Sequence, residues 1–112
     1  MAIYYFWFHN LRRIRNAFRD IVFYLRHGFK RSDTWGLDTA CAKWLIPRLR
    51  YFKEHHAGNP PAISGDEWTE IIGKMIRAFE LIATGDDWKE GDRAAIQTGL
   101  DLFREYFQNL WD

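Results

Sequence analysis

Residues 64–82 read SGDEWTEIIGKMIRAFELI, and the spacing of their apolar side chains settles the class of fold. Trp68, Ile71, Ile72, Met75, Ile76, Phe79 and Ile82 recur at intervals of three and four. That spacing lines one face of a helix, because about 3.6 residues complete a turn. Ser64 and Glu67 match the S-x-x-E capping box, in which the serine oxygen accepts an orphan backbone N–H. The helix is therefore expected to start near Gly65, with a turn over Thr84 to Asp87 after it.

The same periodicity extends in both directions. Upstream, Tyr4, Phe8, Leu11, Ile14, Phe18, Ile21, Val22 and Leu25 form a stripe over about Tyr4 to Arg26, and Gly28 supplies a stop. Ser32 and Asp33 offer cap oxygens for a second helix from about Thr34 to His56, with Leu37, Cys41, Trp44, Leu45, Leu49 and Phe52 inward. Pro47 lacks an N–H and clashes with the preceding turn, which predicts a kink. GNPPA at 58–62 is a loop, and a fourth helix, firm from Asp92, is expected to bury Ile96, Leu100, Phe103, Phe107 and Leu110.

No segment alternates as a strand. Four helical patterns joined by short loops predict an all-α fold, a compact antiparallel bundle of about four helices. A first helix that stands off the others, or serves oligomerisation, fits the same pattern. The expectation is one helical domain over 1–112, made of a basic aromatic helix at 1–27 and a three-helix core at 33–112.

The 112 residues suffice for one hydrophobic core. An apolar fraction of 47% beside 28% charged residues excludes wholesale disorder. Six Trp and nine Phe exceed what so small a core needs, which points to aromatic surface kept for a partner. One cysteine, Cys41, excludes an internal disulfide or a cysteine-based zinc site. The apolar opening MAIYYFWFHN has no basic residue before it and is too short to span a bilayer. A cytoplasmic protein, peripheral at the inner membrane if it meets lipid at all, is expected.

The net charge of +1 conceals a gradient. Residues 1–31 hold seven Lys or Arg against Asp20 alone, a balance of +6, whereas residues 63–112 hold five bases against eleven acids, a balance of −6. Either the first helix meets an anionic partner, or molecules attract head to tail, or the halves neutralise each other within one fold.

Arg12, Arg15, Arg19 and Arg26 fall on one side of the first helix at about 100° per residue, with Tyr5 and Phe23 along the margin. Arginine forks bind phosphate at two points, and adjacent rings can stack on bases. The same layout suits anionic lipid headgroups, a protein partner or plain solvation. In the second helix Asp38 lies at the flank of the apolar arc and Arg48 near its middle. A buried charge needs a partner, so Asp38 is expected to cap the loop at 28–33 and Arg48 to reach Asp101 or Glu105.

His55 and His56 adjoin Glu54, but neighbours on a helix point about 100° apart and rarely chelate one ion. Glu67 and Glu70 have the spacing of magnesium-holding carboxylates, yet a second pair is missing. No catalytic residue, metal or cofactor is expected.

The segments SDTWGLDTACAKWLIPRLRYFKEH, DEWTEIIGKMIRAFE and GLDLFREYFQNLWD resemble a family of small bacteriophage and prophage proteins. The shared pieces are W-x-L-D (Trp35, Leu37, Asp38), A-K-x-x-x-P-R-L (Ala42, Lys43, Pro47, Arg48, Leu49) and F-x-x-L-W-D (Phe107, Leu110, Trp111, Asp112). The resemblance spans about residues 27–112 and leaves the first helix outside. Relatives commonly carry a carboxylate where this chain has Gly73. The resemblance implies a phage accessory protein that binds, blocks or sequesters a host component, including parts of antiviral defence.

The resulting expectation is a non-catalytic homo-oligomer that captures a host protein or a small nucleotide signal, not a specific nucleic-acid sequence. Arg12, Arg15, Arg19 or Arg48 would then contact phosphates, and Tyr5, Trp35 or Trp44 would stack. The alternatives are a peripheral membrane protein working through its first helix, and a magnesium-dependent nucleotide hydrolase.

Overall fold

The computed structural model describes residues 2–85 and 88–111, with side chains from Trp7 onward. The described chain is all-α: α1 (Ala2–His27), α2 (Leu37–His55), α3 (Gly65–Thr84) and α4 (Glu90–Tyr106), with single 3-10 turns at Arg31–Thr34 and Phe107–Asn109. It divides into two compact units, Met1–Leu37 and Asp38–Asp112.

In the first unit, α1 ends at Gly28, whose φ of 82° is cheap only without a Cβ. The Gly28 amide donates to the Tyr24 carbonyl at 2.7 Å, closing the last turn. Phe29 then folds back edge-on to Phe23, at 5.7 Å, and Phe23 also stacks on His27, at 4.2 Å. Ser32 and Asp33 were natural cap candidates for the second helix, but they lie within the 3-10 turn instead. There Asp33 Oδ2 accepts from the Lys30 amide at 3.3 Å, so it holds the turn that Asp38 was expected to cap.

The second unit is built on α3. Trp68, Ile72 and Met75 are fully buried, joined by Ile76, Ala78, Phe79 and Leu81. Ser64 caps the helix as its sequence requires, accepting from the Glu67 amide at 3.1 Å. At the other end the Leu81 carbonyl accepts from Thr84 Oγ1 at 2.9 Å and from the Trp88 indole at 2.8 Å. Trp68 is the hub of the unit. It meets Phe52 of α2 edge-on at 6.4 Å and Tyr106 of α4 at 5.6 Å.

α3 and α4 run antiparallel and pack tightly at Gly99, which is buried. A Cβ at that position would lie 2.3 Å from Ala78 Cβ and 2.6 Å from the Lys74 carbonyl oxygen. Above it Phe79 and Phe103 meet edge-on at 5.1 Å. α4 begins two residues before Asp92, whose carboxylate accepts from the Lys89 amide at 3.1 Å and lies 4.0 Å from Arg77.

Four inward assignments are corrected, three on α2 and one after α4. α2 turns Ala42 and Leu49 into the core, with Leu45, Ile46 and Phe52 beside them, while Leu37, Cys41 and Trp44 are exposed. Its apolar arc is centred between Leu45 and Leu49, and the other three lie on its edge or outside it. Phe107 is also exposed, because α4 gives way to a 3-10 turn there and the side chain leaves the helical phase. Pro47 lies inside the span of α2.

Candidate functional site

The arginines of α1 are the first candidates. Arg12, Arg15, Arg19 and Arg26 are all exposed, and none has a carboxylate within salt-bridge distance among the described residues. At about 100° per residue they occupy a sector about 60° wide. Immediately beside that sector lies the apolar stripe of Trp7, Leu11, Ile14, Phe18, Ile21, Val22 and Leu25, whose side chains are between 44% and 78% exposed.

The first unit contains only α1 and a single 3-10 turn. It therefore holds no element long enough to cover such a stripe. Phe23, expected on the margin for stacking, is engaged with His27 and Phe29 and serves the end of the helix. The side chain of Tyr5 lies outside the described residues.

At the C-terminal end of α1 the 3-10 turn walls a cleft of about 660 Å³. Asp20, Ile21, Tyr24 and Leu25 come from the helix, and Lys30, Arg31, Ser32 and Trp35 from the turn and its flanks. Trp35 is thus brought beside Tyr24 and two cations that the sequence pattern did not single out. The missed signal was the K-R-S run after Gly28, legible as charge but not as a wall.

Trp44 and Arg48 belong to the second unit and satisfy each other. The Arg48 guanidinium lies over the Trp44 ring, 3.9 Å from its centroid, and Nη1 donates to the Trp44 carbonyl at 2.8 Å. Arg48 is consequently exposed and does not reach Asp101 or Glu105; Asp101 accepts from Gln97 at 3.0 Å. The reason is angular, since Arg48 falls about 100° from Leu49 around the helix. Asp38 is exposed as well and makes neither the cap nor the buried pair expected of it. It sits in the first turn of α2, where a carboxylate complements the helix dipole.

The histidines diverge as their adjacency requires. His55 stacks on Tyr51 at 4.0 Å, and its Nδ1 donates to the Tyr51 carbonyl at 2.9 Å. His56 turns to the loop and to α3, with Nδ1 donating to the Gly58 carbonyl and Nε2 on Thr69 Oγ1, each at 3.2 Å. Among the described residues no three His, Cys, Asp or Glu side chains gather as metal ligands. Among them too, no helix is long and apolar enough to cross a membrane.

No family model matches the sequence, and neither a curated protein nor a solved structure is similar to it.

Proposed function

We propose that this chain is a non-catalytic binding protein that takes hold of its target through α1. One observation carries the reading. The apolar stripe of α1 is exposed along the helix, beside four arginines, in a unit with nothing of its own to cover it. Continuous apolar surface of this kind, edged by charge, is what docking surfaces have and stable monomers avoid.

The second unit supports the reading by what it leaves free. Its core closes on Trp68 from three helices and needs no apolar face of α1 to be complete. The resemblance to phage proteins begins only after α1, which makes α1 the part peculiar to this chain, and it supplies the idea that the target is a host component.

The test is capture by the immobilised full chain from bacterial lysate separated into soluble proteins, membranes and small molecules. The Arg12→Glu, Arg19→Glu double variant and the Ile14→Asp, Phe18→Asp double variant are expected to lose capture with helicity unchanged. Undiminished capture by both variants overturns the reading.

A second reading, capture of a small nucleotide, draws on the cleft beside Trp35. Tyr24 and Trp35 would stack on a base while Lys30 and Arg31, which outnumber Asp20 in the cleft, meet its phosphate. Titration with nucleoside monophosphates then quenches tryptophan emission in the wild type and not in Trp35→Phe; equal quenching in both removes it.

A further inference from the structure

We propose that the target of α1 is an anionic phospholipid surface, on which the helix lies flat. This rests on the reading of α1 as the docking element and assigns its partner. The stripe from Trp7 to Leu25 runs about 27 Å and subtends about 100° around the helix. That is the shape of an interfacial helix, which sinks its apolar face to the level of the acyl chains.

Charge separates a lipid partner from the others. Every ionised side chain bordering the stripe is positive: Arg12, Arg15, Arg19 and Arg26 line one edge, and Asn10, Ala17 and Tyr24 the other. Asp20, the one acid of α1, lies about 150° from the centre of the stripe. A helix turned this way lays its stripe into the interface and carries its arginines at headgroup height, where each fork spans a phosphate. Past Gly28, Lys30 and Arg31 line the cleft with Asp20, so that the rim keeps a net positive charge.

Aromatic placement agrees. Trp7 and Phe8 stand exposed near one end of the stripe, and Tyr24 and Trp35 near the other. Of these, Trp7, Tyr24 and Trp35 have an apolar body and a polar tip, which favours the membrane–water boundary. A second copy of α1 fits less well. Antiparallel pairing through the stripe sets the arginine edge of one helix against that of its partner, and like charges in register oppose association. A parallel pair leaves all eight arginines facing neutral side chains.

The experiment is co-sedimentation of the full chain with two kinds of vesicle. One is pure phosphatidylcholine, and the other contains equal parts phosphatidylcholine and phosphatidylglycerol. At low salt the wild type is expected to pellet with the anionic vesicles, at least about tenfold more tightly than with neutral ones, and to release at high salt. Arg15→Glu with Arg19→Glu is expected to weaken anionic binding more than about a hundredfold, since each basic residue near such a surface contributes roughly a fivefold step and each reversal forfeits about two. Phe18→Asp is expected to abolish it with the arginines intact. Both changes are at exposed positions, and an unchanged thermal unfolding curve verifies that each variant is folded.

Equal binding to neutral and anionic vesicles, or no binding to either, overturns the proposal. So does anionic binding that survives both variants. If vesicles fail while solution mass shows an oligomer that Phe18→Asp dissociates, the occupant is a second copy and α1 remains the docking element. If vesicles fail and lysate capture is indifferent to the stripe, both readings fall together.

Discussion

α1 and α3 carry the same kind of apolar stripe and meet opposite fates. Along α3, Trp68, Ile72 and Met75 are wholly withdrawn from solvent, whereas Phe18 and Ile14 of α1 each keep 66% of their surface exposed. Periodicity says that a helix has a face; it does not say what the face is for. α3 lies between α2 and α4, which supply Phe52, Phe103 and Tyr106 as walls. α1 shares its unit with one 3-10 turn. An uncovered stripe this long is surface that water penalises at about 25 cal/mol per Å², which is why we propose that another molecule covers it.

The comparison is most easily broken by truncating a large ring on each helix. Trp68→Ala is expected to cost about 4 kcal/mol, because a full indole leaves a cavity among residues held from three elements. Phe18→Ala is expected to shift stability by less than about 0.5 kcal/mol. Urea unfolding followed by circular dichroism checks both, and similar losses would mean that the α1 stripe is packed in solution.

Gly99 at the α3–α4 contact and the Ser64 cap of α3 sharpen the contrast between tight and open packing. Gly99→Ala drives a methyl into Ala78 and the Lys74 carbonyl, so a loss of about 1–3 kcal/mol is expected in the same assay. Ser64→Ala removes the oxygen that holds the Glu67 amide, and about 1 kcal/mol should go with it.

The smallest effect has the opposite sign. At Gly73 a new Cβ meets only Lys53 Nζ, at an ordinary 3.7 Å. Gly73→Ala is therefore expected to stabilise by about 0.5–1 kcal/mol, since a helix interior loses less entropy with alanine. A carboxylate at 73 would also face that ammonium.

Much of this was legible beforehand, and the legible parts are local. Gly28 ends α1 because its backbone needs a positive φ, and Ser64 starts α3 because its oxygen reaches one turn ahead. The stripe of α3 needed nothing beyond the helical repeat. The misreadings of α2 were errors of phase and company. Arg48 stood one residue before a core leucine and was placed on the wrong side of the arc, and Trp44 looked apolar enough to be inward. Their mutual stacking takes both to the surface.

The candidate site divides in the same way. The arginine sector of α1 could be counted off the sequence at a fixed angle per residue. The cleft could not, because its wall forms only when the chain reverses at Gly28 and brings Trp35 back beside Tyr24.

What the sequence determined by itself is the set of helices, their stops and caps, and the angular position of every side chain around its own axis. Those follow from the geometry of a single backbone. Which stripes are covered, that Gly99 must stay bare, and that α1 keeps its apolar face in the open were decided only in three dimensions. Burial belongs to pairs of surfaces, and one helix carries only half of each pair.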